Sequence, residues 1–472
     1  MALAIFSEER RRWWTLAAVS FGLFMIMLDN TVVNVALPSI QKDLGADLSE
    51  LQWIVTGYAL SFAALMLIGG KLADAYGRRL LFVVGIVVFT GASLWCGLAD
   101  SGNMLIAARV VQGLGAALMN PATLSIIAAT FAPKERGMAI GIWAGVSALA
   151  LAIGPLVGGL LTQHLSWHWI FFVNVPVGVI AIAASLLLIR ESKDDTHESL
   201  DLPGLATSAF GLFALTYGLI EANTYGWTSG RIVGSFVVAV ASLTAFIVIE
   251  RRRREPMLDL SLFRSGTYAG ANIAMLLVAL AMFGVFFFVS IYMQNVLGDS
   301  AVQAGAAFLP MTILIILVAP VAGKLSDKYG SRWLMSTGMV LLAAQLLYLS
   351  QVGAEASFWN LLPGFLVGGL GMAITMTPTV AAATRAVPVE KSGVGSAVLN
   401  AMRQVGGSVG IALMGAIVAR EAGGRVGVDA FMAGYERSLV VAAAIAFAGS
   451  IVAFALVRQE AEPEATSLEL AA

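Results

Sequence analysis

Asp29 is the only acidic residue deep in any long apolar run of this 472-residue chain, and Arg109 lies deep in another such run. An ionisable group inside a membrane span costs at least ~2.5–3.5 kcal/mol on insertion scales, so each needs a partner or a use. Burial favours a neutral carboxyl, whereas a neighbouring guanidinium favours the carboxylate. A change in water access or spacing then moves a proton on or off Asp29, while the arginine keeps its charge throughout. Two readings are open for the pair. It is a proton switch coupled to cargo by reciprocal linkage, or a static buried ion pair that specifies packing.

Arg403 is a second embedded cation, about ten residues into its run and roughly 15 Å deep. No run in the second half of the chain offers it an acid. It either binds backbone carbonyls or Gln294, or it faces a cavity and meets cargo. Gln112, beside Gly113 and Gly115, is a polar handle near Arg109, and Asn34, Asn120 and Gln404 are further candidates for a cavity lining. Hydrolytic or metal chemistry has no such support. His164, His168 and His197 fall at span ends or in loops without metal-ligand spacing, and no buried Ser/His/Asp set appears. Cys96 is the sole cysteine, so no intrachain disulfide is possible. Neither an enzyme nor a metal or cofactor is expected.

Composition dictates the elements that hold these residues. The chain is 59% hydrophobic and 12% charged, with mean hydropathy +0.86, against about 25% charged in soluble proteins. A net charge of −1 argues against nucleic acid. A helix needs about 20 mostly apolar residues to cross a bilayer. Fourteen such runs lie near 14–38, 51–72, 80–99, 104–130, 138–162, 168–189, 203–220, 232–249, 268–293, 303–323, 333–351, 359–383, 393–419 and 436–458. The chain reads as an all-α polytopic membrane protein. With the N-terminus in the cytoplasm, 21 of its 28 Lys and Arg residues fall in cytoplasmic segments and five outside, which obeys the positive-inside rule. Both termini are then cytoplasmic. The run at 251–254, "RRRR", is either a topology signal or a site for anionic lipid headgroups.

An internal repeat organises the spans. "LIGGKLADAYGRRLLFV" at 67–83 matches "PVAGKLSDKYGSRWLMS" at 320–336, pairing Gly70 with Gly323, Asp74 with Asp327 and Gly77 with Gly330; Arg78 and Arg332 follow. "APKERG" at 132–137 and "VPVEKS" at 387–392 repeat at nearly the same offset. The expected division is a six-helix bundle at 1–189, two inserted helices at 190–264, a second six-helix bundle at 265–458 and a disordered acidic tail at 459–472. Parallel six-helix repeats suit two bundles rocking about a central site.

These motifs resemble the major facilitator superfamily, and specifically its fourteen-helix drug:proton antiporters, over nearly the whole chain. "GKLADAYGRR" is similar to the superfamily motif between helices 2 and 3, and "RVVQGLGAA" at 109–117 resembles the proton-coupling motif of helix 4. Gly145 with "GPLVGG" at 154–159 matches the antiporter motif of helix 5. "LDNTVVNVALP" at 28–38 and "SWHWIFFVNVPVG" at 166–178 resemble the helix 1 signature and helix 6 entry of the fourteen-helix branch. The pattern departs at Ala75, where the family usually has a basic residue, and at His168, where it usually has arginine. His168 is either an interfacial anchor between two tryptophans or an outer pH-sensitive group.

The resemblance implies a major facilitator fold in which helices 1 and 4 line a central cavity, so that Asp29 and Arg109 meet. It implies that Gly145, Gly154, Pro155, Gly158 and Gly159 seal the two bundles against proton leak; from the residues alone a kinked packing helix serves as well. The expected function is proton-driven efflux of lipophilic small molecules such as drugs, dyes or antiseptics, by a monomer in the bacterial plasma or inner membrane whose partners are protons, cargo and lipids. A proton-coupled importer or a metabolite exporter of the same fold is the alternative.

Overall fold

In hydrocarbon every backbone N–H and C=O must find its partner inside the same segment, so long apolar runs become helices. The computed structural model describes residues 8–193, 201–253, 256–388, 392–425 and 427–458, and no strand occurs among them. His197, Arg254, Lys391, most of the 190–201 linker and the acidic tail fall outside the described residues.

The first bundle comprises α1 (Glu8–Leu44), α2 (Leu48–Tyr76), α3 (Arg78–Gly97), α4 (Gly102–Thr130), α5 (Pro133–His164), and a short α6 (Trp169–Phe172) leading into α7 (Asn174–Leu188). Two further helices follow, α8 (Leu202–Tyr225) and α9 (Gly230–Arg252). The second bundle comprises α10 (Gly266–Ile291), α11 (Ala301–Ala307), α12 (Leu309–Tyr329), α13 (Ser331–Leu349), α14 (Phe358–Arg385), α15 (Ser392–Ala422) and α16 (Val428–Leu456).

Among the described residues, 12 helices are long and apolar enough to cross a membrane, and α5 makes a thirteenth when its two halves, bent by 41°, are taken as one span. The bend precedes Pro155, which has no N–H to offer the carbonyl of Leu151. The sequence leads to fourteen spans; the one expected at 51–72 falls in α2, a 29-residue helix that carries Glu50, Lys71 and Asp74 towards its ends and is not among the thirteen.

Packing repeats as the sequence does. α1 lies on α5 as α10 lies on α15, α2 on α4 as α12 on α14, and α3 on α4 as α13 on α14. The two copies of the short turn share their backbone geometry. Gly77 has φ +124° and Gly330 φ +80°, values that a side chain rarely adopts, so each helix stops and reverses at a glycine. The polar groups around the turns differ. Glu191 caps the start of α3 by accepting from the backbone N–H of Arg79 and Leu80 at 3.0 and 3.1 Å. In the second copy Arg385 at the end of α14 reaches Asp327 at 3.0 Å and the hydroxyls of Ser326 and Ser331, while Arg332 stacks over Phe454.

The start of α1 and the end of α16 lie at one end of the molecule. There Arg12 pairs with Glu135 at 2.6 Å, Arg11 and Thr15 donate to the Leu188 carbonyl, and Lys71 reaches Pro256. The two bundles are bonded to each other at the opposite end. Gln52 donates to Ile411, Gln294 to Val35, Asn295 to Gln41, and the Val302 N–H to Gln163. α5 also touches α11 backbone to backbone, where added side chains on Gly159 or Gly305 would strike the carbonyls of Ala301 or Pro155. Small residues let helices approach this closely where no hydrophobic force separates protein from lipid tails. Towards the end where α1 starts, one face of α5, with Met138, Ile140 and Leu149, is exposed, and nothing lies within 4 Å of a Cβ at Gly141 or Gly145. Among the described residues the hydrogen bonds between the bundles therefore gather at one closed end, and none joins them at the other, parted end.

α8 docks on both bundles. Glu221 accepts from Ser49 and Trp53 of α2, and Asn223 donates to Ala416 of α15. α9 packs mainly on α8 and presents Val233, Val237, Val238 and Val240 outward, an apolar face suited to lipid.

Candidate proton and cargo site

α4 positions the charged pair because glycines on two of its faces admit neighbouring helices. Gly113 packs against the backbone of α2 at Tyr58 and Phe62, and Gly115 against α3 at Gly85 and Phe89. Arg109 and Gln112, one turn apart, are thereby held in the core with α1, α2 and α3 around them.

Arg109 Nη1 donates to Asp29 Oδ2 at 2.5 Å and to Gln112 Oε1 at 2.6 Å, and its Nε donates to the Ile54 carbonyl at 3.1 Å. Gln112 Nε2 in turn donates to Asp29 Oδ1 at 2.9 Å and to Ser93 Oγ at 2.8 Å. Ser93 Oγ donates to the Phe89 carbonyl and also accepts from Asn174 Nδ2. The guanidinium lies 4.2 Å from the centre of the Tyr58 ring, a cation–π contact. Asp29 and Arg109 are each 1% exposed. Both carboxylate oxygens are satisfied, one by the cation and one by the amide. A buried charge pair with this many hydrogen bonds is held firmly, and removing either member leaves the other uncompensated.

A cavity of about 140 Å³ lies beside this network, between the bundles, lined from α1, α5, α10, α12, α14 and α15. Asn30 and Asn34 face it from α1, one residue and five residues beyond Asp29, and Arg403 and Gln404 face it from α15. The rest of the wall is chiefly apolar, with Phe283, Phe286, Met372 and Met376 prominent. Sites for drug-sized ligands usually measure roughly 300–1,000 Å³, so a bulky cargo requires the bundles to part further.

The candidate residues distribute as follows. Asp29, Arg109 and Gln112 come together in the buried network, and Asn34, Arg403 and Gln404 line the cavity. Asn120 is buried in α4 away from the cavity wall, and Gln294 is spent on Val35 and Ser290 at the closed end. No hydrogen bond joins Arg403 to Gln294 among the described residues. Gly154 and Gly158 receive Thr31 and Val32 of α1, Gly159 receives α11, and Gly145 stands open. Gly70 and Gly323 sit beside Pro121 and Thr377, and the side chain of Asp74 is outside the described ones. His168 stacks on Trp167, whose indole donates to Asp43 at 2.8 Å.

Ser93, Asn174, Tyr58 and Asn30 escaped the sequence reading. A serine or tyrosine inside an apolar helix is common, and only the fold turns these towards Gln112, Arg109 and the cavity. Arg385 carried a weak signal, a basic residue at a helix end 58 positions after Asp327.

The profile of the Major Facilitator Superfamily matches residues 19–411 and 271–471. The chain is 38% identical over 414 residues to the tetracenomycin C resistance and export protein of Streptomyces glaucescens, covering 88% of this chain and 77% of that one. It is 37% identical to the puromycin resistance protein of Streptomyces alboniger, over 87% of this chain and 82% of that one. It is 31% identical to a multidrug transporter of Bacillus subtilis, over 88% and 77%. Among solved structures, a bacterial homologue of the human lysosomal transporter Spinster, inward-facing and unoccupied, superposes with a TM-score of 0.68 at 17% identity, covering 96% of this chain and 99% of that one. That likeness concerns the fold.

Proposed function

The chain belongs to the Major Facilitator Superfamily, and from that premise we propose that it exports lipophilic small molecules in exchange for protons, with Asp29 as the proton carrier. The observation that carries this reading is the carboxylate–guanidinium pair buried one residue away from the cavity wall. Relatives named for antibiotic resistance and export support the direction of transport.

In this reading the fourteen helical runs all cross the bacterial inner membrane, the monomer keeps both termini in the cytoplasm, and the parted end of the bundles faces the cytoplasm. Cargo enters from that side. Protonation of Asp29 from outside removes its charge and weakens its attraction to Arg109, freeing α1 to move relative to α4; deprotonation towards the cytoplasm restores the pair. Cargo and proton then favour opposite arrangements of the bundles, which is the condition for reciprocal coupling. α8 and α9 serve as a docked spacer between the bundles.

Purified protein in proteoliposomes tests the reading. Asp29→Asn keeps the size of the side chain and one of its two acceptor oxygens but cannot cycle a proton. The expected result is loss of efflux driven by an imposed pH gradient, with the variant still folded and inserted. Gradient-driven efflux at the wild-type rate in Asp29→Asn would refute the assignment.

A further inference from the structure

We propose that Arg403 and Gln404 form an anion subsite in the central cavity that recognises an acidic group on an otherwise lipophilic cargo. The inference rests on the export reading above and specifies its substrate class.

Arg403 is the only ionisable side chain among the residues that line the cavity. Asp29 does not neutralise it: both carboxylate oxygens are engaged by Arg109 and Gln112, and the Asp29 charge is paired with Arg109. No hydrogen bond or ion pair reaches Arg403 among the described residues, and its Nε is buried without a partner. Gln404 beside it is 1% exposed, yet neither its amide oxygen nor its amide nitrogen is bonded. Across the cavity Asn34 Oδ1 is also orphaned, an acceptor suited to a donor elsewhere on the cargo. Buried polar groups are nearly always satisfied, and a buried cation without an anion is the costlier case. Here several unsatisfied groups converge on one space, with donors from the guanidinium and the Gln404 amide. A carboxylate or similarly acidic oxygen pair matches the arginine fork, while Phe283, Phe286, Met372 and Met376 take an aromatic or aliphatic body.

The subsite also adjoins the proton network. The Tyr58 ring carries Arg109 on one face, and Asn30, next to Asp29 in the chain, shares the cavity wall with Arg403. An anion arriving at Arg403 changes the field at the pair from which the proton leaves.

The test uses three fluorescent probes with one aromatic body and different heads: 1-pyrenebutyrate, its methyl ester, and the corresponding trimethylammonium. Each is titrated against the full chain in nanodiscs, with empty nanodiscs as the partition control. The acid is expected to bind wild type about tenfold or more tightly than the ester, the scale of a charge-assisted hydrogen-bonded contact, and the ammonium weakest. Arg403→Gln should lose that preference for the acid and keep ester binding, which also reports that the variant is folded. Arg403→Lys should retain part of the preference, and Gln404→Leu should reduce it. Equal binding of acid and ester to wild type, or equal weakening of all three probes in Arg403→Gln, overturns the proposal. Proton-driven export fails separately, if the acid preference is present but no probe-dependent proton flux appears in proteoliposomes.

Discussion

Gly159→Ala adds one methyl group at the point where α5 of the first bundle meets α11 of the second. A Cβ built there abuts the Ala301 carbonyl oxygen and lies 2.9 Å from both the Ala301 carbonyl carbon and Val302 Cα. All three are backbone atoms, so no side-chain rotation relieves the clash. Carbon atoms sit comfortably at about 3.5–4.0 Å, so the helices must separate by roughly 0.6–1 Å. Overpacking of this kind typically costs about 1–3 kcal/mol. The cost falls on the arrangement in which α5 and α11 touch and not on one in which this end is parted. The equilibrium between the two should shift about 5- to 150-fold towards the parted arrangement. Spin labels at Leu165→Cys and Glu355→Cys, on opposite bundles near this end, report the shift by pulsed dipolar spectroscopy; Cys96 is buried and stays unlabelled. The long-distance population should rise in Gly159→Ala and rise further in Gly159→Val, with slower export and a leakier proton gradient. Unchanged distance distributions in both variants would show that this contact does not set the balance between states.

Further outcomes follow from the same geometry. Gln112→Leu removes the donor to Asp29 Oδ1 and an acceptor of Arg109, so each orphaned group should cost about 1–3 kcal/mol; a lower thermal midpoint and weaker gradient-driven efflux are the readouts. Arg109→Ala leaves the Asp29 carboxylate uncompensated, a loss of about 3–5 kcal/mol, and coupled efflux should vanish; its survival would demote the pair to packing. With Arg403 as the one charge on the cavity wall, cells should be protected better against monocationic than matched dicationic antiseptics, and equal or stronger protection against dications would contradict the charge argument. A tag on the C-terminal tail should be reached by protease only from the cytoplasmic face, and cleavage in intact cells would reverse the topology.

The sequence by itself determined the solvent, the helical class and the two-fold plan. These depend on local quantities: runs of about 20 apolar residues, basic residues in alternate loops, and one turn motif written twice. It also singled out Asp29, Arg109 and Arg403, because an ionisable side chain in hydrocarbon is conspicuous on one-dimensional grounds alone. What it could not decide was who meets whom. Gln112 and Gln404 are the same residue type on similar helices, yet one is consumed in bonding Asp29 and Ser93 while the other stands unbonded in the cavity. Gln294 was an equal candidate and is instead bonded across the closed end. These fates turn on the rotation of each helix about its axis and on glycines that admit a neighbour at backbone distance, as at Gly113 and Gly159. Rotation and approach are set by packing against helices up to hundreds of residues away. Only the tertiary structure carries them, and with them the closed end, the parted end and the uncompensated charge between.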